Sequence, residues 1–189
     1  MSFFAWYSNS DEYATVDGVS IDDAKALRFD LHLGKTDEPV SLEIVLDPKR
    51  PLPLGDFPNT GIAYPKCLSE RAYQALSHLL EPCGVIKTAL LDGQVYYLFW
   101  PTTQYECLDL KRSEISTTTT GYQRVVKPVF LKDFDPEKSV FLASAFPRQC
   151  VFVGECFMNA VESSGLVGLE LRKTLGDAPE IIRPNRTGE

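Results

Sequence analysis

Histidine is almost missing. His32 and His78 are the only two in 189 residues, and neither has a carboxylate or cysteine partner at metal-ligand spacing. Both read as structural, His78 on the watered side of a helix and His32 in a strand-like stretch. The motifs G-x-x-x-x-G-K-[ST], G-x-G-x-x-G, H-E-x-x-H and G-x-S-x-G do not occur, which sets aside P-loop, dinucleotide-binding, zincin and nucleophile-elbow chemistry. No catalytic residue, metal ligand or cofactor is expected. Five cysteines, Cys67, Cys83, Cys107, Cys150 and Cys156, make an odd count without a C-x-x-C, so neither a disulfide framework nor a zinc knuckle is indicated. They read as reduced, mostly buried thiols. No window approaches the about 18 consecutive apolar residues of a membrane span, and "MSFFAWYSNSDEY" lacks a basic leader. A cytoplasmic protein with no membrane partner is the expectation, which makes the Asn185-Arg186-Thr187 sequon a coincidence of composition. Basic residues are too few for a nucleic-acid partner: the net charge is −7, and affinity for a phosphate backbone rests on cations.

Apolar residues make up 44% and charged residues 24% of the chain, the composition of an ordinary globular protein. The length suits one hydrophobic core rather than two. The acid excess is uneven. Residues 1–60 hold 11 acidic and 5 basic side chains, whereas the remainder hold 15 and 14. Folded onto one face, such acids attract a basic partner and speed its capture; the bland reading is a solvated, solubility-promoting surface.

"PVSLEIVL" (39–46) sets Val40, Leu42, Ile44 and Leu46 against Ser41, Glu43 and Val45, the period of a half-buried strand. The four prolines of 47–58 exclude helix and central strand there, leaving an extended surface connector packed down by Leu52, Leu54 and Phe57. Asp92-Gly93 between "VIKTALL" and "QVYYLFW" signals a hairpin. Strands and turns are expected over 105–130, a short apolar run over 139–146, and a tail over 176–189 held by Ile181 and Ile182.

Helices are expected near 20–28, 69–82 and 154–164. Ser20 or Asp22 caps the first. In the second, Ser69 caps, Glu70 complements the dipole, Leu68 staples over Tyr73, and Leu68, Ala72, Ala75, Leu76, Leu79 and Leu80 form one stripe. The third repeats the script with Val153, Gly154, Glu155 and Met158, then stops at Gly165 with Leu166 folding back. The echo implies two capped helices on one sheet, by duplication or by convergence. The fold class is α+β: a single domain, mainly antiparallel sheet with a few packed amphipathic helices.

Cys156, in the first turn of the third helix, is a candidate nucleophile or redox thiol; its adjacent Glu155 works against that, and a small buried hydrophobe is the commoner role. Asp22-Asp23 and Asp37-Glu38 mark turns or helix starts more naturally than acid–base pairs. Trp6, Tyr7 and Tyr13 beside Asp11 and Glu12 form an aromatic and acidic segment suited to an interface, Trp6 serving equally as core. The candidate partner-binding residues are Trp6, Tyr7, Asp11, Glu12, Asp17, Asp22 and Asp23.

The order "LSERAYQALSHLL" (68–80), "VYYLFWPTTQYECLDLKRSEI" (95–115) and "VFVGECFMNAVESSGLVGLELRK" (151–173) resembles the Imm-eleven group of bacterial immunity proteins from polymorphic toxin systems. The likeness rests on Leu68-Ser69-Glu70, Tyr96-Tyr97-Leu98, Leu108-Asp109 with Ser113, and Val153 through Leu171, spanning about 64–172. The family usually carries Ser where Gly154 stands. The resemblance implies a non-catalytic antidote that binds a cognate protein toxin and blocks it sterically, with partner choice in a variable, acidic part (1–60) outside a family-like core (61–175). A basic toxin such as a nuclease suits the acids. A cysteine-dependent enzyme using Cys156 and an adaptor without a toxin are the alternatives.

Overall fold

The computed structural model describes residues 2–27, 39–45, 51–135, 137–176 and 178–185. In chain order the elements are β1 (Phe4–Ser8), β2 (Thr15–Gly18), α1 (Ile21–Lys25), β3 (Val40–Val45), β4 (Lys66–Ser69), α2 (Glu70–Leu80), a 3-10 turn over Glu81–Cys83, β5 (Gly84–Leu91), β6 (Gln94–Pro101), β7 (Gln104–Tyr105), β8 (Glu114–Thr117), β9 (Gln123–Lys127), β10 (Val140–Ala143), β11 (Val151–Val153), α3 (Glu155–Ser163), β12 (Leu169–Arg172) and β13 (Ile181–Ile182). The strands form a six-stranded sheet, β13-β12-β1-β11-β10-β7, a five-stranded sheet, β2-β3-β5-β6-β4, and the β8–β9 ribbon. Among the described residues every strand pair is antiparallel except β3–β5 and β7–β10. This is one α+β domain.

The local signals act as expected. Ser69 accepts from the Ala72 amide, and Ala72, Leu76 and Leu80 are buried. Tyr73 lies flat on Tyr97, ring centroids 3.9 Å apart. After α3, Gly165 takes φ +62°; its amide donates to the Glu162 carbonyl and that of Leu166 to Val161, a Schellman stop with Leu166 buried. Asp92 and Gly93 both take positive φ in the β5–β6 turn, as a type I′ hairpin requires.

The two helices do not share a sheet. Strand β4 feeds α2, and α2 returns to β5; β4 and β5 both run antiparallel to β6 between them. Likewise β11 feeds α3, which returns to β12, and both flank β1. The same strand–helix–strand plan is therefore built once in each sheet, and both helices enter one core between the sheets. There Trp6 of β1 stacks on Phe99 of β6, centroids 6.3 Å apart and planes 17° from parallel. The middle strand follows its helix in the first unit and opens the chain in the second.

The acidic first third contributes β1, an inner strand of the six-stranded sheet. Within 51–58 the proline-rich connector is packed down at Phe57 as expected, and beside it Asp56 is 6% exposed. The Asp56 carboxylate accepts from the Ser69 hydroxyl, the Arg71 guanidinium and the Val167 amide. Burial works to raise this carboxyl, and those donors outweigh it and hold it below the ordinary carboxylate range. One side chain thus ties the N-terminus of α2 to the loop after α3.

Candidate functional site

The period-two pattern of β3 places Val40 and Leu42 in a second core and turns Ser41, Glu43 and Val45 outward. Strand β2 pairs with it so that Thr15 faces Val45, Asp17 faces Glu43 and the Val19 amide bonds to the Ser41 carbonyl. Thr15, Asp17, Val19, Ser41, Glu43 and Val45 therefore share the outer face of this ribbon. Val19 is 55% and Val45 52% exposed. Asp17 and Glu43 thus stand directly opposite each other on this face, with the exposed valines on either side.

Helix α1 closes one end of that face. Ser20 caps it in a capping box with Asp23, whose carboxylate also accepts from the Ser41 amide at 3.0 Å. The Ser20 hydroxyl, with the Ser41 and Ser20 amides, holds the Asp23 carboxyl below its ordinary value. Asp23 is thus occupied in joining α1 to β3. Asp22, its side chain 91% exposed, meets Lys25 at 3.6 Å, and Ile21 beside it is 76% exposed.

The remaining predicted partner-binding residues lie elsewhere. Trp6 is 0% exposed and packs edge-on against Phe57 and tilted on Phe157, so it belongs to the core and cannot anchor a partner in the folded chain. Tyr7 points to the opposite face of β1 and is half-buried; burial pushes its phenol up to about 12. Asp11 and Glu12, in the turn after β1, reach Arg183 at 3.5 and 3.9 Å. Arg183 and Arg172 both bind Glu170, which is 3% exposed. The acids chosen from the sequence therefore divide into two groups, one on the β2–β3–α1 face and one beside Arg183. Asp37 and Glu38 lie outside the described residues, as does His32.

Glu43, Val19 and Val45 belong to the face and were not among the predicted site residues. The alternation of 39–46 already turned Glu43 outward; its meeting with Asp17 depended on a register that no local signal shows. Cys156 donates to the Ser139 hydroxyl at 3.3 Å rather than to a base, and His78 is exposed on α2. Among the described residues no group of three or more His, Cys, Asp or Glu is gathered as for a metal ion, and no helix is long and apolar enough to cross a membrane. The Leu108-Asp109…Ser113 motif makes a turn: Asp109 accepts from the Lys111 amide, and the Ser113 hydroxyl accepts from the Val129 amide. No protein-family model matches the chain, and no curated protein matches it.

Proposed function

We propose that this chain is an immunity protein of the Imm-eleven kind, which binds a cognate bacterial toxin in the cytoplasm and neutralises it by steric blockade, without chemistry of its own. The observation that carries this reading is the outer face of β2–β3, where opposed Asp17 and Glu43 sit between exposed Val19 and Val45. A basic partner would meet two carboxylates on this face while covering the valines beside them. Acid with apolar flanks suits a basic protein surface, such as that of a nuclease toxin.

The test is co-expression with the protein encoded by the neighbouring reading frame. Rescue of growth and co-purification as a stable complex are expected, with Asp17→Lys plus Glu43→Lys slowing association by about tenfold at low salt and the difference shrinking as salt is added. Protection that persists unchanged in the double reversal removes this face from the reading. Protection lost in Cys156→Ala, with the complex intact, turns the reading toward a cysteine-dependent enzyme.

A further inference from the structure

Lys66 is the first residue of β4, an edge strand of the five-stranded sheet, and is 6% exposed. Its chain runs toward the other sheet, where the ammonium lies 5.9 Å from the Trp6 ring centre and 5.6 Å from that of Tyr7. Among the described residues it makes no hydrogen bond or ion pair, and aromatic faces offset only part of the desolvation of a buried ammonium. The nearest titratable groups do not neutralise it. Cys150 is a buried thiol that burial pushes up to about 12 and so keeps uncharged, and Arg172 is a second cation.

Arg172 stands 4.1 Å from the same Tyr7 ring, oriented by its Nε on Glu170 Oε1 at 2.6 Å. Its terminal nitrogens make no hydrogen bond among the described residues. Glu170 is already shared with Arg183. Between Lys66 and Arg172 opens a cleft of about 280 Å³, walled by Gly61, Ile62, Ala63 and Ser10. Trp6 also borders it, and its buried indole N–H has no acceptor among the described residues. The charged side chains lining this space are Lys66 and Arg172, both cationic, and among the described residues no carboxylate lines it.

We propose that this cleft is a binding site for a small organic anion, its carboxylate or phosphate group seated between Lys66 and Arg172 and its body against Tyr7 and Ile62. The volume, about 280 Å³, is just under the range of drug-sized sites and suits a small anion. The two cations on one aromatic ring are then each paired by the same oxyanion. Burial, with a smaller push from Arg172, lowers the Lys66 amine to about 8, which leaves it charged at neutral pH. The site is independent of the acidic face and of any toxin.

The test uses the full chain and two probes, inorganic phosphate and acetate, each titrated at constant ionic strength against chloride, with the Trp6 indole N–H followed by NMR. A saturable shift for at least one probe, with a Kd of about 1 mM or tighter, is expected; the probe that saturates assigns phosphate or carboxylate as the recognised group. Arg172→Gln weakens it at least about tenfold, and Lys66→Met abolishes it in a chain that stays folded. Should Lys66→Met fail to fold, Arg172→Gln decides alone. No saturable shift with either probe, or equal shifts in the wild type and Arg172→Gln, overturns the proposal.

Discussion

Asp56 and Lys66 are each 6% exposed, yet only the carboxylate is hydrogen-bonded within the described residues. Around Asp56, a guanidinium, a hydroxyl and an amide converge from α2 and from the loop after α3. Around Lys66 stand two aromatic rings, a neutral thiol and another cation. A buried charge with its partners in place joins elements of the fold, because losing it strands several donors at once. A buried charge without them works against folding, and the proposed anion would supply the missing partner.

The comparison breaks first at Asp56. Asp56→Ala removes the acceptor for Ser69, Arg71 and Val167, and we expect a loss of about 3 kcal/mol in urea unfolding at neutral pH; a loss below about 1 kcal/mol would show that Asp56 does not join the two units. Because its carboxyl is held low in the fold, this contribution is complete above the ordinary carboxylate range and fades as pH falls through the lowered value.

Lys66→Met carries the opposite sign. Replacing an unpartnered buried ammonium by an apolar chain of similar length stabilises the anion-free protein by about 1–3 kcal/mol. The folded amine titrates at about 8 against an ordinary 10.5, so below pH 8 both states hold the proton and the full cost is present. Between those values the unfolded chain binds more protons, wild-type stability rises relative to Lys66→Met, and the gap closes. The measurement is this difference between variants, because buried Cys67, Cys107 and Cys150, raised to about 12, 11 and 12 from an ordinary 9.0, lose stability as pH climbs past 9.

The two helix starts sharpen the contrast at smaller scale. Serine is the better cap in isolation, but a Cβ at Gly154 would lie 2.5 Å from the Lys138 carbonyl oxygen. Gly154→Ser is expected to cost about 1–2 kcal/mol through that backbone clash, and Ser69→Gly about 1–2 kcal/mol, because it removes the hydroxyl's bond to the buried Asp56 carboxylate as well as the cap, both read from chemical denaturation. The glycine where the resembling family carries serine thus has a packing cause. Smallest is Glu43→Lys: as an exposed substitution opposite Asp17 it is expected to move thermal stability of the free chain by no more than about 0.5 kcal/mol, although it weakens the proposed interface.

Much of the secondary structure was legible because its causes are local. Ser20 and Ser69 cap, Asp92-Gly93 turns, Gly165 stops α3, and the alternation over 39–45 separates a core face from an outer face. Less of the site was legible. Trp6 lies between acids and aromatics that read as an interface, but strand β1 is carried into the middle of a sheet made with β11 and β12, and its side chain goes to the core. The acids named together from their nearness in sequence separated, Asp23 into a cap and Asp11 and Glu12 toward Arg183.

Capping, turn chemistry and strand alternation are settled within a few residues, by hydrogen bonds and sterics that neighbours supply, and so the amino-acid sequence alone determined them here. Which strands flank β1 and β6, the meeting of Asp17 with Glu43, and the opposite surroundings of Asp56 and Lys66 came only with tertiary structure. Burial and pairing across sheets join residues far apart along the chain, and a side chain's electrostatic environment depends on those distant neighbours.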